Sequence, residues 1–307
     1  MPVPLGAVGE GAIHEPALVA QVIRRAVDAA GIVRSEAVIG LCGRGLIVKK
    51  VQIPEVPIKD LPDAVRIEAE QEIPFAMDEV ALAFHVVGRQ NRVLDLALVA
   101  ARRSKVMEHR AVVANAGLDP VVVDVDGFAL GNQLQLYGRS GVNVVVDIGA
   151  TMTKISVVRD GLTQLVRDLP SGGYGCTTAI AARLGASAEA AEAIKINPER
   201  ALDAVAPVCE AMAHTLGLEI QRTLDYVAAS GPGPERVTGI VLAGGGAKLA
   251  GLREHLATML DLQVEVACPG AGLAVDPACA AAVAAAGPTL ALALGLSLRR
   301  PGDETTG

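Results

Sequence analysis

The residues best suited to chemistry lie in one stretch, Asp147-Ile-Gly-Ala-Thr-Met-Thr153, between the apolar runs 144–146 and 154–158. Both runs carry the β-branched residues of buried strands, so the stretch reads as a tight strand-to-strand turn. Gly149 leaves bare backbone that an anion can approach, with Ala150 beside it. Thr151 and Thr153 add hydroxyl donors, and Asp147, ending a buried strand, is placed to hold Mg²⁺ through water. These are the parts of a phosphate-binding hairpin. An ordinary hairpin whose glycine serves only the turn has the same pattern.

A second stretch is Leu242-Ala-Gly-Gly-Gly-Ala-Lys248. An apolar strand, 240–243, runs into Gly244, Gly245 and Gly246, and the pattern predicts a helix over 247–260. Three glycines before a helix N-terminus would set bare backbone and a positive dipole end beside a ligand. The run is neither G-x-x-x-x-G-K-[ST] nor a full G-x-G-x-x-G, which disfavours the P-loop and dinucleotide-binding readings.

Other candidates are weaker. Ser187 caps a helix over 188–196 that holds Glu192 and Lys195 at i, i+3, the spacing of a surface ion pair. Asp124 and Asp126, at the end of a strand over 121–125, are the one place for a carboxylate that positions water against a phosphate. Either serves equally as a cap for the helix that begins at Gly127. Glu68 and Glu72 share a face of an acidic helix, and the pattern is that of a solvated surface.

The elements that position these residues follow in order. A helix starts at Glu15-Pro16 and stops at Gly31. Strands over 37–41 and 46–53 read as a hairpin turning at Gly43-Arg44-Gly45. Asp60 reads as the cap of a helix that ends before Pro74. Strands over 81–87 and 94–100 turn around 88–91, and a helix over 104–116 follows. After the strand at 121–125 comes a helix over 127–137, and then a linker at 138–141. Beyond the glycine-bearing hairpin lie a strand over 165–169, the turn Ser171-Gly172-Gly173 into a helix over 174–184, and a long helix over 199–228 closed by Gly231-Pro-Gly-Pro234.

Composition bounds the rest. The 307 residues suffice for one large or two ordinary domains, and at 51% apolar with 2% aromatic content and no Trp, the core must be built from Val, Leu, Ile and Ala. A formal net charge of −7 excludes a nucleic-acid binder that works by a basic stripe. Five cysteines, scattered and without C-x-x-C spacing, predict reduced thiols in a cytoplasm, as does the lack of a recognisable secretory leader. Residues 277–298 carry no charge and are long enough to span a bilayer. Gly287, Pro288 and the alanine content point instead to two short helices, so direct membrane insertion is not expected.

Asp-Ile-Gly-x-Thr followed by Leu-Ala-Gly-Gly-Gly resembles the actin-like ATPase superfamily, where such runs form a phosphate hairpin and an adenosine-binding turn. The segments Glu68-Ala-Glu-Gln-Glu-Ile-Pro-Phe75, Asp78-Glu-Val80 and Ala116-Gly-Leu-Asp-Pro120 narrow this. With them the chain resembles, over essentially its whole length, the PilM family of type IV pilus machines, related in fold to FtsA. The resemblance implies an α/β, actin-like (ribonuclease H-like) fold of two halves with an inserted FtsA-type subdomain. The first sheet domain would be 1–50 with 120–140, the inserted subdomain 51–119, the second sheet domain 141–186 with 235–307, and its helical part 187–234.

It also implies ATP and Mg²⁺ as ligands. The residues involved would be Asp147, Gly149, Ala150, Thr151, Thr153, Gly173, Gly244, Gly245, Gly246 and Lys248, with Glu192 on the ribose and the Lys195 stem over the adenine. The implied partner is the N-terminal tail of a PilN-like inner-membrane protein, docked between the first sheet domain and the inserted subdomain. The protein would then be an assembly platform, cytoplasmic and peripheral to the inner membrane, that uses ATP as a conformational ligand. In that family a first Asp-Ile-Gly hairpin precedes the helix that starts here at Glu15. Residues 1–13 hold none, either because the given sequence starts inside the family's chain or because this protein lacks that hairpin, and for the given polypeptide either predicts half a phosphate grip. The alternatives are an active ATPase or kinase-like enzyme of the same fold, or an FtsA-like filament former, although the polar tail 299–307 lacks FtsA's membrane helix.

Overall fold

The computed structural model describes residues 2–136, 138–197, 202–230, 236–268 and 273–303. The expected helix ends at 137 and 199, the break at 231–234 and the tail beyond 303 lie outside the described residues. The chain divides into two compact units, residues 1–126 with 296–307, and residues 127–295.

The first unit opens with two-residue strands β1 (Val8–Gly9) and β2 (Ala12–Ile13), then α1 (Pro16–Ala29), β3 (Glu36–Leu41) and β4 (Leu46–Pro54). There follow α2 (Leu61–Glu72), β5 (Val80–Gln90), β6 (Val93–Arg102), α3 (Arg103–Asn115) and β7 (Asp119–Val125). β4, β6 and β5 form an antiparallel sheet in that order. Alternate residues of β6, Leu94, Leu96, Leu98 and Ala100, fall on one face by the period-two geometry of a strand and bury against Val65 and Ala69 of α2. α3 packs with α1 through Val19, Ala20, Val112 and, just past its end, Ala116, and also meets β6 through Val106, Val113 and Ala101.

Three local expectations change. β3 and β4 are not a hairpin: β3 pairs in parallel with β7, and β4 pairs with β6. Gly43 and Gly45, at φ +75° and +83°, redirect the chain between them, and the Gly43 backbone packs against Glu10 so closely that a Cβ would lie 2.4 Å from its carbonyl. Asp60 makes no capping bond, because α2 is entered from a 3-10 turn, Ile58–Asp60. The β5–β6 turn, expected around 88–91, falls at Asn91-Arg92, both at positive φ as a two-residue hairpin turn demands. Glu72 pairs with Lys49, as a surface carboxylate does.

The second unit begins within α4 (Asp126–Gln135), after Asp126, and continues with β8 (Val142–Ile148), β9 (Thr153–Arg159), β10 (Leu162–Leu169), α5 (Gly173–Leu184), α6 (Ala188–Ile196) and α7 (Leu202–Ser230). They are followed by β11 (Val237–Ala243), α8 (Leu252–Leu260), β12 (Val264–Val266), α9 (Pro277–Ala286) and α10 (Ala291–Ser297). The five-stranded sheet runs β10-β9-β8-β11-β12, antiparallel up to β8 and parallel beyond it. β8 is buried along its whole length. Val144, Val146 and Ile148 face a core with Ile180, Ile220 and Leu256, while Val145 faces Leu130, Leu134 and Ala291. A strand covered on both faces needs a continuous β-branched run, and the sequence supplies one. The apolar stretch Pro277–Ser297 is long enough to cross a membrane, but it is divided into α9, a 3-10 turn at Gly287–Leu290 and α10.

Because α2 packs on this face of the sheet and Leu98 is fully buried there, Leu98→Ala should lower stability by about 2–5 kcal/mol. A fall in the urea midpoint with unchanged slope checks this.

Candidate functional site

The hairpin turn of the second unit is closed by Gly149 N–H donating to the Met152 carbonyl at 2.9 Å. Its exposed side is docked onto α5: the N–H groups of Gly173 and Tyr174 donate to the carbonyls of Gly149 and Ala150 at 2.9 and 2.8 Å. That approach depends on Gly172. A Cβ there would lie 2.5 Å from the Gly149 carbonyl oxygen and 2.6 Å from that of Ala150. Thr153 is buried, and its hydroxyl donates to the Ser171 carbonyl at 2.8 Å, so it braces the turn rather than offering a donor to a ligand as expected. Ala150 is exposed and Thr151 half-buried, at the tip.

Asp147 sits at the root of the turn, paired across the ladder with Lys154. Lys154 Nζ donates to Asp147 Oδ2 at 2.8 Å, and both side chains are buried. The sequence places Mg²⁺ at this carboxylate through water and gives Lys154 no role. An ion pair with no net charge lacks the excess negative charge that draws a divalent cation, so Asp147 does not fit a dedicated Mg²⁺ ligand. Among the described residues no group of three His, Cys, Asp or Glu side chains is placed to hold a metal.

The glycine triplet lies beside the same root. At Gly244, φ +79°, a Cβ would fall 2.6 Å from Asp147 Oδ1, and at Gly246 one would fall 2.3 Å from Ile148 Cγ2. Packing explains those two. Gly245 is exposed with no such neighbour, a Cβ reaching only Thr289 at 3.9 Å, so its bare backbone remains available to a ligand. A phosphate-bearing group fits this cradle. The helix expected over 247–260 is broken, however: a 3-10 turn spans Gly245–Lys248, and α8 starts only after Gly251 at φ +76°. The triplet therefore meets a short turn, not the dipole of a long helix. Lys248 is tied down, its Nζ donating to the Ala285 carbonyl at 2.8 Å.

Glu192 and Lys195 are more than a surface pair. Lys195 Nζ reaches Glu192 Oε2 at 2.6 Å, Thr177 Oγ1 at 2.8 Å and the Gly173 carbonyl at 3.1 Å, joining α6 to the first turn of α5. Thr177 also donates to Glu192. Burial raises the Glu192 carboxyl, but the hydrogen bonds from Lys195 and Thr177 and the lysine charge outweigh it and hold the group below its ordinary value. Nothing in the sequence pattern singles out Thr177. It falls one helical turn after Gly173, and that spacing is the only signal.

Asp124 and Asp126 belong to the first unit. Asp124 Oδ2 lies 2.9 Å from Arg299 Nε, and its Oδ1 accepts the Val125 N–H at 2.8 Å. Burial raises its carboxyl despite the nearby guanidinium and that hydrogen bond. Asp126 is buried beside Gly40, where a Cβ would lie 2.0 Å from its Oδ1. An arginine-held carboxylate is a structural tie, and neither residue stands out as a base.

A mixed sheet with this hairpin and glycine turn defines an actin-like protein. The EutJ ethanolamine utilization protein of Carboxydothermus hydrogenoformans shares the fold at TM-score 0.56 and 20% identity over 95% of this chain and 77% of that one. The MamK double helical filament does so at 0.56 and 16%, over 96% and 80%. Within the class, a chain of the PilM-PilN type IV pilus biogenesis complex is 33% identical with TM-score 0.85, over 97% of this chain and 89% of that one. The family described as type IV pilus assembly protein PilM matches residues 1–301. The chain belongs to the PilM family.

Lys154→Met would strand the buried Asp147 carboxylate and should cost about 3–5 kcal/mol of stability. Chemical denaturation of the variant beside Asp147→Asn/Lys154→Met, which removes both charges and should recover part of the loss, checks this.

Proposed function

We propose that this chain is a cytoplasmic, actin-like assembly platform of a type IV pilus machine. It docks the N-terminal tail of a PilN-like inner-membrane protein and binds ATP as a conformational ligand. The observation that carries the reading is the 33% identity, over 97% of this chain, to a protein solved as a PilM-PilN complex. Its place at the inner membrane then comes through that partner.

The first unit offers a groove of the right kind, a cavity of about 810 Å³ lined by Arg44, Phe75, Arg102, Ser104, Lys105 and Glu108. It lies where the inserted sheet meets α3. The Arg102 guanidinium stacks over the Phe75 ring, 4.4 Å from its centroid, giving an apolar floor with a cationic edge. Lys105 is buried and fixed by the Gly11 carbonyl. An extended tail that orders on binding gains apolar contact from such a floor and register from its charged rim.

ATP phosphates would meet the hairpin turn and Gly245, with Glu192 and Lys195 on the nucleoside side. Since Asp147 is neutralised by Lys154, no step is assigned to a protein-held metal. Among the described residues Asp124, the candidate for a base, is held by Arg299, which favours a reading in which ATP acts by shifting populations between docking states.

Fluorescence anisotropy with a labelled PilN-like N-terminal peptide tests the groove. Phe75→Ala, and Arg44→Glu at a side chain 91% exposed, should each weaken binding by about tenfold or more. Wild-type affinity in both variants would contradict the assignment.

A further inference from the structure

Two buried cysteines of the second unit, used by nothing above, stand thiol to thiol. Cys176 lies in the first turn of α5 and Cys209 on α7, with their sulfurs 3.9 Å apart. They are 4% and 7% exposed. A disulfide needs about 2.05 Å, so an approach of roughly 2 Å would join them.

Three features distinguish the pair from inert core thiols. Each cysteine borders its own cavity. Cys176 borders one of about 460 Å³ with Thr153, Gly172, Arg183 and Met212. Cys209 borders one of about 630 Å³ with Lys195, Glu210, His214 and His255. A small oxidant can thus reach the residues beside the pair without unfolding of the chain. The second feature is acidity: the hydrogen bond from Cys209, helped by the Lys195 charge and opposed by burial, lowers the Cys176 thiol to about 7, while the same bond pushes Cys209 up. Third, Pro207 sits inside α7 two residues before Cys209, where it supplies no helical N–H donor and so leaves that turn with one bond fewer to hold it.

We propose that Cys176 and Cys209 are a redox-modification site that closes to a reversible disulfide on exposure to hydrogen peroxide. The Cys176 thiolate attacks a peroxide oxygen, the O–O bond breaks, and hydroxide leaves to give a sulfenic acid; hydroxide takes up the thiol proton as water. Cys209 sulfur then attacks the sulfenic sulfur, losing its proton as a second water departs. Both sulfurs are oxidised by the two electrons that reduce one peroxide to two waters. The bond would tie α5, whose first turn holds the hairpin, to α7. Resting on the proposed nucleotide reading, it would therefore alter ATP affinity.

The test uses the full chain carrying Cys42→Ser, Cys268→Ser and Cys279→Ser, since Cys42 is partly exposed and the other two are exposed. Peroxide should remove both remaining thiols from titration and lower the mass by two hydrogens. It should also yield one cross-linked peptide pair, with dithiothreitol reversing all three changes. The rate should rise as pH passes about 7, and Cys209→Ser should move that rise upward. Full alkylation of both sulfurs after peroxide and denaturation, or a sulfinic acid at Cys176 with Cys209 intact, would overturn the proposal. ATP titration of the reduced and cross-linked forms separates the two readings. Binding by neither form sinks the nucleotide assignment while the disulfide stands.

Discussion

The second unit is organised by a backbone contact that only glycine permits. Gly172 lets the first turn of α5 come close enough for its N–H groups to grip the carbonyls of Gly149 and Ala150. These donors have no partner within their own helix, so the contact satisfies a helix N-terminus and a hairpin turn at once. Everything near the turn then follows. Thr153 braces it from inside through Ser171, and Lys195 and Thr177 fasten α6 to the same first turn. Gly244 closes against the root on the other side, its N–H donating to the Pro288 carbonyl. Three segments distant in sequence are thereby fixed around one short loop.

Charge at the root decides what the loop can hold. A lone carboxylate ending a buried strand would favour a cation, whereas a carboxylate already paired with a buried lysine leaves the backbone amides and glycine surfaces to set the preference. The arrangement suits the anionic end of a nucleotide. The first unit uses charge differently: its cavity sets an aromatic floor under arginine, a surface suited to a peptide with apolar anchors. An assembly platform needs both kinds of surface, one to grip a partner and one to report a ligand.

Much of this was legible in the sequence, and the misses share a cause. β8 and β9 were readable because a two-sided strand requires an unbroken β-branched run and the Asp-Ile-Gly turn fixes where it ends. The pairing of β3 with β7 was not, because hydrophobic pattern marks a strand without naming its neighbour, and adjacency in sequence suggested β4. Lys154 stood in plain view next to the motif, yet its meeting with Asp147 depends on ladder register. Lys195 lay at the spacing of an ordinary ion pair, and its burial on the Gly173 carbonyl is tertiary. The break at Gly251 shows that a glycine inside an apparently helical run can stop the helix when it must adopt positive φ. The thiol pair, 33 residues apart, carries no local signal at all.

The central claim is that the turn held by α5 is the anion cradle of a nucleotide site. Calorimetric titration of ATP into the wild-type chain and into Gly172→Ala, with circular dichroism to confirm that the variant is folded, tests it directly. The account predicts binding by the wild type and a loss of about tenfold or more in the variant, because the added Cβ drives α5 off the turn. Equal affinity in the two folded proteins, or no binding by the wild type, would contradict it.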